Sequence, residues 1–257
     1  MLTLYFSGTG NTRFLAETFS KKLQAECYSI EEKDTDFDAI IAAHDVLAFC
    51  YPIYCSRVPR IMREFSKIHM ERIVGKKIIV LVTQMLFSGD GARVFVDLFP
   101  KNTVEVIYAE HFNMQQNMGN TPVLNLLNPT DKFFGRVEKK LDKVCKDIKN
   151  GVIKRRGFAK ISVLLGCIQG KPWQKDTSII HATDLEKIVK DRIKIHKECT
   201  SCNRCMKVCP MNNLTNHEGT IVHKNNCTVC YRCVNICPQK AITVFFHKKP
   251  RWQYIAK

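Results

Sequence analysis

The chain has 257 residues, 45% hydrophobic and 25% charged, a composition that fits a folded protein and excludes intrinsic disorder and collagen-like repeats. No apolar run approaches the roughly 18 to 20 residues of a membrane-spanning helix, and the start MLTLYFSGTG has neither a basic n-region nor a cleavage site, so a cytoplasmic protein without a transmembrane segment is expected. The net charge of +16 is uneven: residues 1–150 carry 20 Lys+Arg against 18 Asp+Glu and residues 151–257 carry 20 against 6, so the C-terminal part holds +14 and points to an anionic partner or cofactor.

Leu2 to Phe6 is a short apolar run ended by Gly8, and Asn11 to Gln24 places Phe14, Leu15, Phe19 and Leu23 at near-helical spacing, which predicts strand, turn and helix. The turn is SGTGNT, Ser7 to Thr12. Gly8 and Gly10 let its backbone bend and bring N–H groups to an anion, while Ser7, Thr9, Asn11 and Thr12 add hydroxyl and amide donors. Without a lysine or a GxGxxG spacing it is neither a nucleoside-triphosphate loop nor a dinucleotide fingerprint; it reads as a phosphate cradle, with a structural turn as the alternative.

Cys27 to Ile30 suggests a second strand, and Val46 to Tyr51 and Ile78 to Thr83 are the β-branched runs of strands buried on both faces of a parallel sheet. Val104 to Tyr108 supplies a fifth. Pro59 to Ile68, Gly91 to Leu98 and Asp131 to Lys149 are helix-compatible, and Asn150 and Gly151 read as a stop. The repeated order predicts an α/β domain, a doubly wound parallel five-stranded sheet, over residues 1–150. Residues 151–197 read as a basic connector punctuated by Gly157, Gly166, Gly170 and Pro172, with a helix from Thr183 to about Lys190. Residues 198–257 form a second domain and tail.

Thirteen cysteines without an export signal argue for metal rather than disulfides. Cys199, Cys202, Cys205 and Cys209 before Pro210 form CxxCxxCxxxCP, and Cys227, Cys230, Cys233 and Cys237 before Pro238 repeat it 28 positions later. In such a run the first three cysteines wrap one cubane and the fourth faces the other cluster. Cys199, Cys202, Cys205 and Cys237 are therefore assigned to one [4Fe-4S] cluster, and Cys209, Cys227, Cys230 and Cys233 to the second; zinc is the weaker reading. Arg204, Lys207 and Arg232 in the motif loops offer a basic shell that would raise the cluster potentials, but each is expected to face water and tune little, and Cys50 and Cys55 to be packing thiols.

The stretch from Glu198 to Ile242 resembles a bacterial-type two-cluster ferredoxin, a small α+β domain, and SGTGNT within residues 1–150 resembles the FMN-phosphate loop of flavodoxins. As a whole the chain resembles the flavodoxin-ferredoxin fusions of anaerobic microbes, which implies FMN plus two [4Fe-4S] clusters. In flavodoxin-like proteins the isoalloxazine ring lies between the loops after the third and fourth strands. The resemblance thus implies ring contacts from Tyr51, Pro52 and Tyr54 in one loop and Thr83, Met85, Phe87 and Gly89 at the other, with Tyr54 as the preferred stacker or else a surface aromatic or an interdomain packing residue. The loop His111 to Asn120 is expected to lie over the flavin or to contact the cysteine module.

The resemblance implies an electron-transfer protein joining clusters that carry single electrons to a flavin that takes one or two. The alternative is an FMN-dependent reductase of a small organic substrate fed by its own ferredoxin domain; no acid–base constellation selects it, and no catalytic residue is nominated. A redox partner protein of acidic character is expected and nucleic acid is not, since the cations are not organised around aromatics. Oligomeric state is left open.

Overall fold

The computed structural model describes residues 1–54, 56–121, 132–170, 189 and 192–256. The five apolar runs form β1 (Leu2–Tyr5), β2 (Glu26–Ser29), β3 (Val46–Pro52), β4 (Lys77–Gln84) and β5 (Glu105–Asn113). They pair in parallel in the order β2-β1-β3-β4-β5, the order of a flavodoxin-type doubly wound sheet. The period of two along each strand divides the side chains between two cores. Leu2, Leu4, Phe6, Phe49, Tyr51, Val80 and Val82 enter one, and Ala48, Cys50, Ile79 and Leu81 the other. Helices α2 (Phe37–Ala42), α3 (Arg60–Ile68), α4 (Met70–Ile73) and α5 (Arg93–Val96) cover the first with Ile41, Met62, Ile73 and Phe95. The second is covered by α1 (Asn11–Leu23) and α6 (Lys132–Lys149) through Leu15, Phe19, Val137 and Leu141.

The sheet has six strands rather than the expected five. β6 (Lys154–Arg155) comes from the basic connector and pairs in parallel with β5 at Tyr108 and Ala109. Two charged residues carry no apolar period; the cause is tertiary. The Glu110 carboxylate is 0% exposed on β5 and takes Lys154 at 2.6 Å, Arg156 at 2.9 Å and Lys140 at 3.0 Å, and a buried carboxylate without such partners would be costly. β5 also runs on to Asn113, past the expected end at Tyr108. A helix, α7 (Lys160–Gly170), occupies connector that read as glycine-punctuated; Gly166 faces Gly89 and Asp90 too closely for a side chain. The helix expected from Thr183 to Lys190 lies outside the described residues except for Val189, as does Cys55.

The cysteine module contains β7 (Ile193–Ile195) paired antiparallel with β10 (Ile242–Val244), and the hairpin of β8 (Leu214–His217) with β9 (Thr220–His223). Short helices α8 (Arg204–Lys207) and α9 (Arg232–Ile236) carry the third cysteines of the motifs. Its core gathers Ile193, Leu214, Ile221, Val229, Val234 and Ile242. Among the described residues no helix is long and apolar enough to cross a membrane.

Candidate functional site

Three pairs of residues 28 positions apart adopt a left-handed backbone: Ser201 and Val229 at φ 51° and 62°, Asn203 and Tyr231 at 61° and 60°, and Asn212 and Lys240 at 48° and 50°. Their spacing is that of the cysteine repeat, so the two halves bend alike. For the β-branched Val229 such a φ is a true outlier, costing on the order of 1–3 kcal/mol, and it persists only where the surroundings impose it. The bends set the cysteines around two cavities. One, of about 380 Å³ including its mouth, is lined by Cys199, Cys202, Cys205 and Cys237; the other, of about 400 Å³, by Cys209, Cys227, Cys230 and Cys233. Each draws three cysteines from one motif and the fourth from the other.

The remaining walls are largely apolar, with Ile195 and Ile221 at the first cavity and Ile193, Leu214 and Val244 at the second. Backbone N–H groups of Asn213, Ala241 and Val229 point to the Sγ atoms of Cys209, Cys237 and Cys227 at 3.2, 3.3 and 3.3 Å. Such donors stabilise thiolate charge and tune a cluster's potential. The buried Thr228 hydroxyl, without a hydrogen-bond partner, belongs to a residue that also lines the second cavity. Burial pushes the Cys205 and Cys230 thiols up to about 11, so holding them as thiolates needs a cationic centre. This donor set fits two cubanes.

The second site adjoins the first. β1 pairs with β2 on one side and β3 on the other, and sheets of this order open their ligand crevice where the strand order reverses. The loop Ser7 to Thr12 lies there and leads into α1. Gly10 caps that helix with φ 101°, no side chain caps it, and its first turn holds no acidic residue, so the positive end of a 13-residue dipole is uncompensated. Ser7 Oγ accepts from the Gly10 N–H at 3.1 Å, and the Thr12 and Thr83 hydroxyls meet at 2.8 Å. Asn11 donates to the Gln115 carbonyl at 2.6 Å and accepts from the Tyr254 hydroxyl at 2.6 Å. Asn117 Nδ2 reaches Thr9 Oγ1 at 3.2 Å. The loop fits a phosphate group: its helix end is free of acid and cap, and a Cβ on Gly8 or Gly10 would collide with packed neighbours.

The ring contacts implied by the flavodoxin resemblance are only partly assembled. Tyr51 is a core residue: it is fully buried beside Phe95, and its hydroxyl donates to the Gly91 carbonyl at 3.0 Å, because its place on β3 points inward. Pro52 ends β3, Met85 is half-buried and Phe87 is 49% exposed. Gly89, at φ 54°, lies against Gly166 of α7. Only Thr83 and Tyr54 come to the phosphate loop. Tyr54 packs against the first sheet core and the cysteine-module core alike, with its buried, unpartnered hydroxyl 2.9 Å from where a Cβ on Gly8 would stand. That is the interdomain position.

The loop His111 to Asn120 splits: its first three residues join β5, Met114 stays in the second sheet core, Gln115 meets Asn11, and Asn117 to Asn120 meet the cysteine module and its tail. Asn117 donates to the Cys230 carbonyl at 3.3 Å and accepts from Asn235 at 2.9 Å, and Asn120 donates to the Val244 and Phe246 carbonyls. Behind it, burial and the nearby Arg156 lower His111 to about 4, and its Nε2 accepts from the Ala92 N–H. Burial alone would raise the Glu110 carboxyl, but the hydrogen bonds from Lys154, the His111 N–H and Lys140 outweigh it and hold the group at about 2.

Sequence reasoning missed Arg232, expected to face water. Its side chain is 20% exposed and grips the phosphate loop and Glu31. It also missed the tail, where the Ala256 N–H donates to the Thr9 carbonyl at 2.7 Å. No local pattern signals contacts between residues more than 200 positions apart.

Residues 192–243 match the family described as a 4Fe-4S dicluster domain. No curated protein matches the chain. Among solved structures, the chain is similar to a two-electron reduced flavodoxin from Megasphaera elsdenii, with 20% identity and TM-score 0.40 over 55% of this chain and 99% of that one. A WrbA-like flavodoxin from Agrobacterium tumefaciens gives 14% and 0.41 over 58% and 97%. General stress protein 14 from Treponema denticola, solved in complex with FMN, gives 11% and 0.43 over 58% and 97%. The chain thus joins a sheet of flavodoxin-type topology to a dicluster domain.

Proposed function

We propose that the protein moves electrons between two [4Fe-4S] clusters and an FMN held by its phosphate at Ser7 to Thr12. The observation that carries this reading is the juxtaposition of sites within one chain: the carbonyl oxygen of Cys230, from the second cavity, lies 2.7 Å from where a Cβ on Gly8 would stand. The clusters supply one-electron steps and the flavin one- or two-electron steps, so neighbours of these two kinds interconvert the currencies. The protein's own residues shape the route. Cys202 of the first cavity is exposed and offers an entry point, while Cys230 is buried against Tyr54 and Gly8 at the inner end. Apolar walls limit water at the inner end, and backbone N–H donors stabilise the charge on the Cys209 and Cys237 sulfurs.

The +14 of residues 151–257 favours an acidic redox partner, and the reading places the protein in the cytoplasm of an anaerobe. Analysis of anaerobically purified protein tests it: about eight iron, eight sulfide and one FMN per chain are expected, and zinc with little iron, or no flavin, overturns it. Reduction of small organic acceptors by the purified protein would favour the reductase reading instead.

A further inference from the structure

Arg232 has five N–H donors and uses all of them. Nε donates to the Gly8 carbonyl at 2.9 Å, Nη1 to Glu31 Oε1 at 2.8 Å and the Val208 carbonyl at 3.0 Å, and Nη2 to the Ser7 carbonyl and Glu31 Oε2, both at 2.7 Å. The two-pronged Glu31 pair fixes the guanidinium plane, which lies 5.9 Å from the centre of the Phe6 ring. Four segments meet on this one group. Two of them belong to the second cavity, since Val208 precedes Cys209 and Arg232 lies between Cys230 and Cys233.

In a planar trans peptide the C=O and N–H point in opposite directions. Arg232 holds the carbonyls of Ser7 and Gly8, so the N–H groups of Gly8 and Thr9 turn to the opposite face. Ala256 holds the Thr9 carbonyl, and the Gly10 N–H goes to Ser7 Oγ. A loop with glycine at two of its first four positions has much backbone freedom, so this orientation must be imposed from outside. The groups that hold the three successive carbonyls of Ser7, Gly8 and Thr9 come from the cysteine module and its tail.

We infer that the phosphate loop is completed by the cysteine module, with Arg232 as a positioning residue that presets the loop's N–H groups and couples flavin affinity to assembly of the second cluster. The inference rests on the FMN reading above. Cluster ligation by Cys209, Cys230 and Cys233 anchors the backbone segments that the guanidinium spans. By linkage the coupling is reciprocal, so bound FMN must also protect that cluster. Because Glu31 balances the charge of Arg232, its role lies in the geometry of the fork rather than in a net field, and lysine cannot replace it.

The test uses full-length, iron-loaded protein freed of flavin and titrated with FMN and with riboflavin, which lacks the phosphate. In Arg232→Lys and Arg232→Met the FMN dissociation constant should rise roughly tenfold or more while that for riboflavin stays the same. Glu31→Gln, outside the cysteine module, should lower the preference for FMN with iron retained, which keeps the test decisive if an Arg232 variant loses iron. FMN, and not riboflavin, should slow release of the second cluster's iron to a chelator in the wild type. An unchanged FMN-to-riboflavin preference in the variants, full function in Arg232→Lys, or iron release indifferent to FMN overturns the inference. A wild type that does not bind FMN overturns the flavin reading itself.

Discussion

Replacing Gly8 by alanine probes the closest approach of the two sites. The added Cβ would stand 2.7 Å from the Cys230 carbonyl oxygen, 2.9 Å from the Tyr54 hydroxyl and 3.4 Å from the Cys230 Cβ. The first two lie at least about 0.5 Å inside ordinary contact. The carbonyl belongs to the backbone and is held by Asn117 at 3.3 Å, so it cannot swing aside as a side chain would. The Cys230 segment must shift away from the phosphate loop, at an overpacking cost of about 1–3 kcal/mol. At roughly 2–4 °C per kcal/mol for a chain of this size, melting should fall by about 2–12 °C. Gly135 provides the control: it is exposed on α6 with nothing near a Cβ, so alanine there should stabilise by about 1 kcal/mol. Thermal melts followed by circular dichroism, with flavin and iron counted per chain, measure both variants. For Gly8→Ala a lower melting point and lower FMN content are expected. Wild-type melting and flavin content in Gly8→Ala would refute the contact between Cys230 and the phosphate loop.

Acid should destabilise the fold in two stages. His111 titrates at about 4 when folded against an ordinary 6.5, so the unfolded chain binds more protons between those values, and up to about 3 kcal/mol is lost as pH falls from about 6.5 to 4. Glu110, at about 2 against 4.5, extends the loss below pH 4.5; urea midpoints that rise on acidification would contradict both assignments. The grouping of cysteines predicts that Cys237→Ala damages the cluster of Cys199, Cys202 and Cys205, whereas Cys209→Ala damages that of Cys227, Cys230 and Cys233. Paramagnetic resonance of the reduced variants should show different surviving centres, and identical spectra would count against crossed ligation. Reduction by an acidic protein donor should slow as salt rises from about 0.05 to 0.5 M, and rates indifferent to salt would remove the steering argument.

β1, β3 and β4 were legible because each is an unbroken apolar run whose burial on both faces is a local property of the chain. β6 was not, since Lys154 and Arg155 form a strand only because neighbouring cations satisfy the Glu110 carboxylate buried beneath them. Ring candidates were read from loop position alone, and whether Tyr51 faces a crevice or the core depends on the pleat of β3 and on Phe95 packed beside it. A solvated charge is the local reading of Arg232 because its partners Ser7, Gly8 and Glu31 stand 225, 224 and 201 positions away. By itself the sequence determined the chemistry of the ligands: thiolates at a spacing that wraps cubanes, and a glycine-and-hydroxyl turn before a helix, are written in adjacent residues. The tertiary structure alone decided that these two sites share a wall at Gly8 and Cys230, because that contact depends on how two separately patterned segments pack, and no local periodicity encodes it.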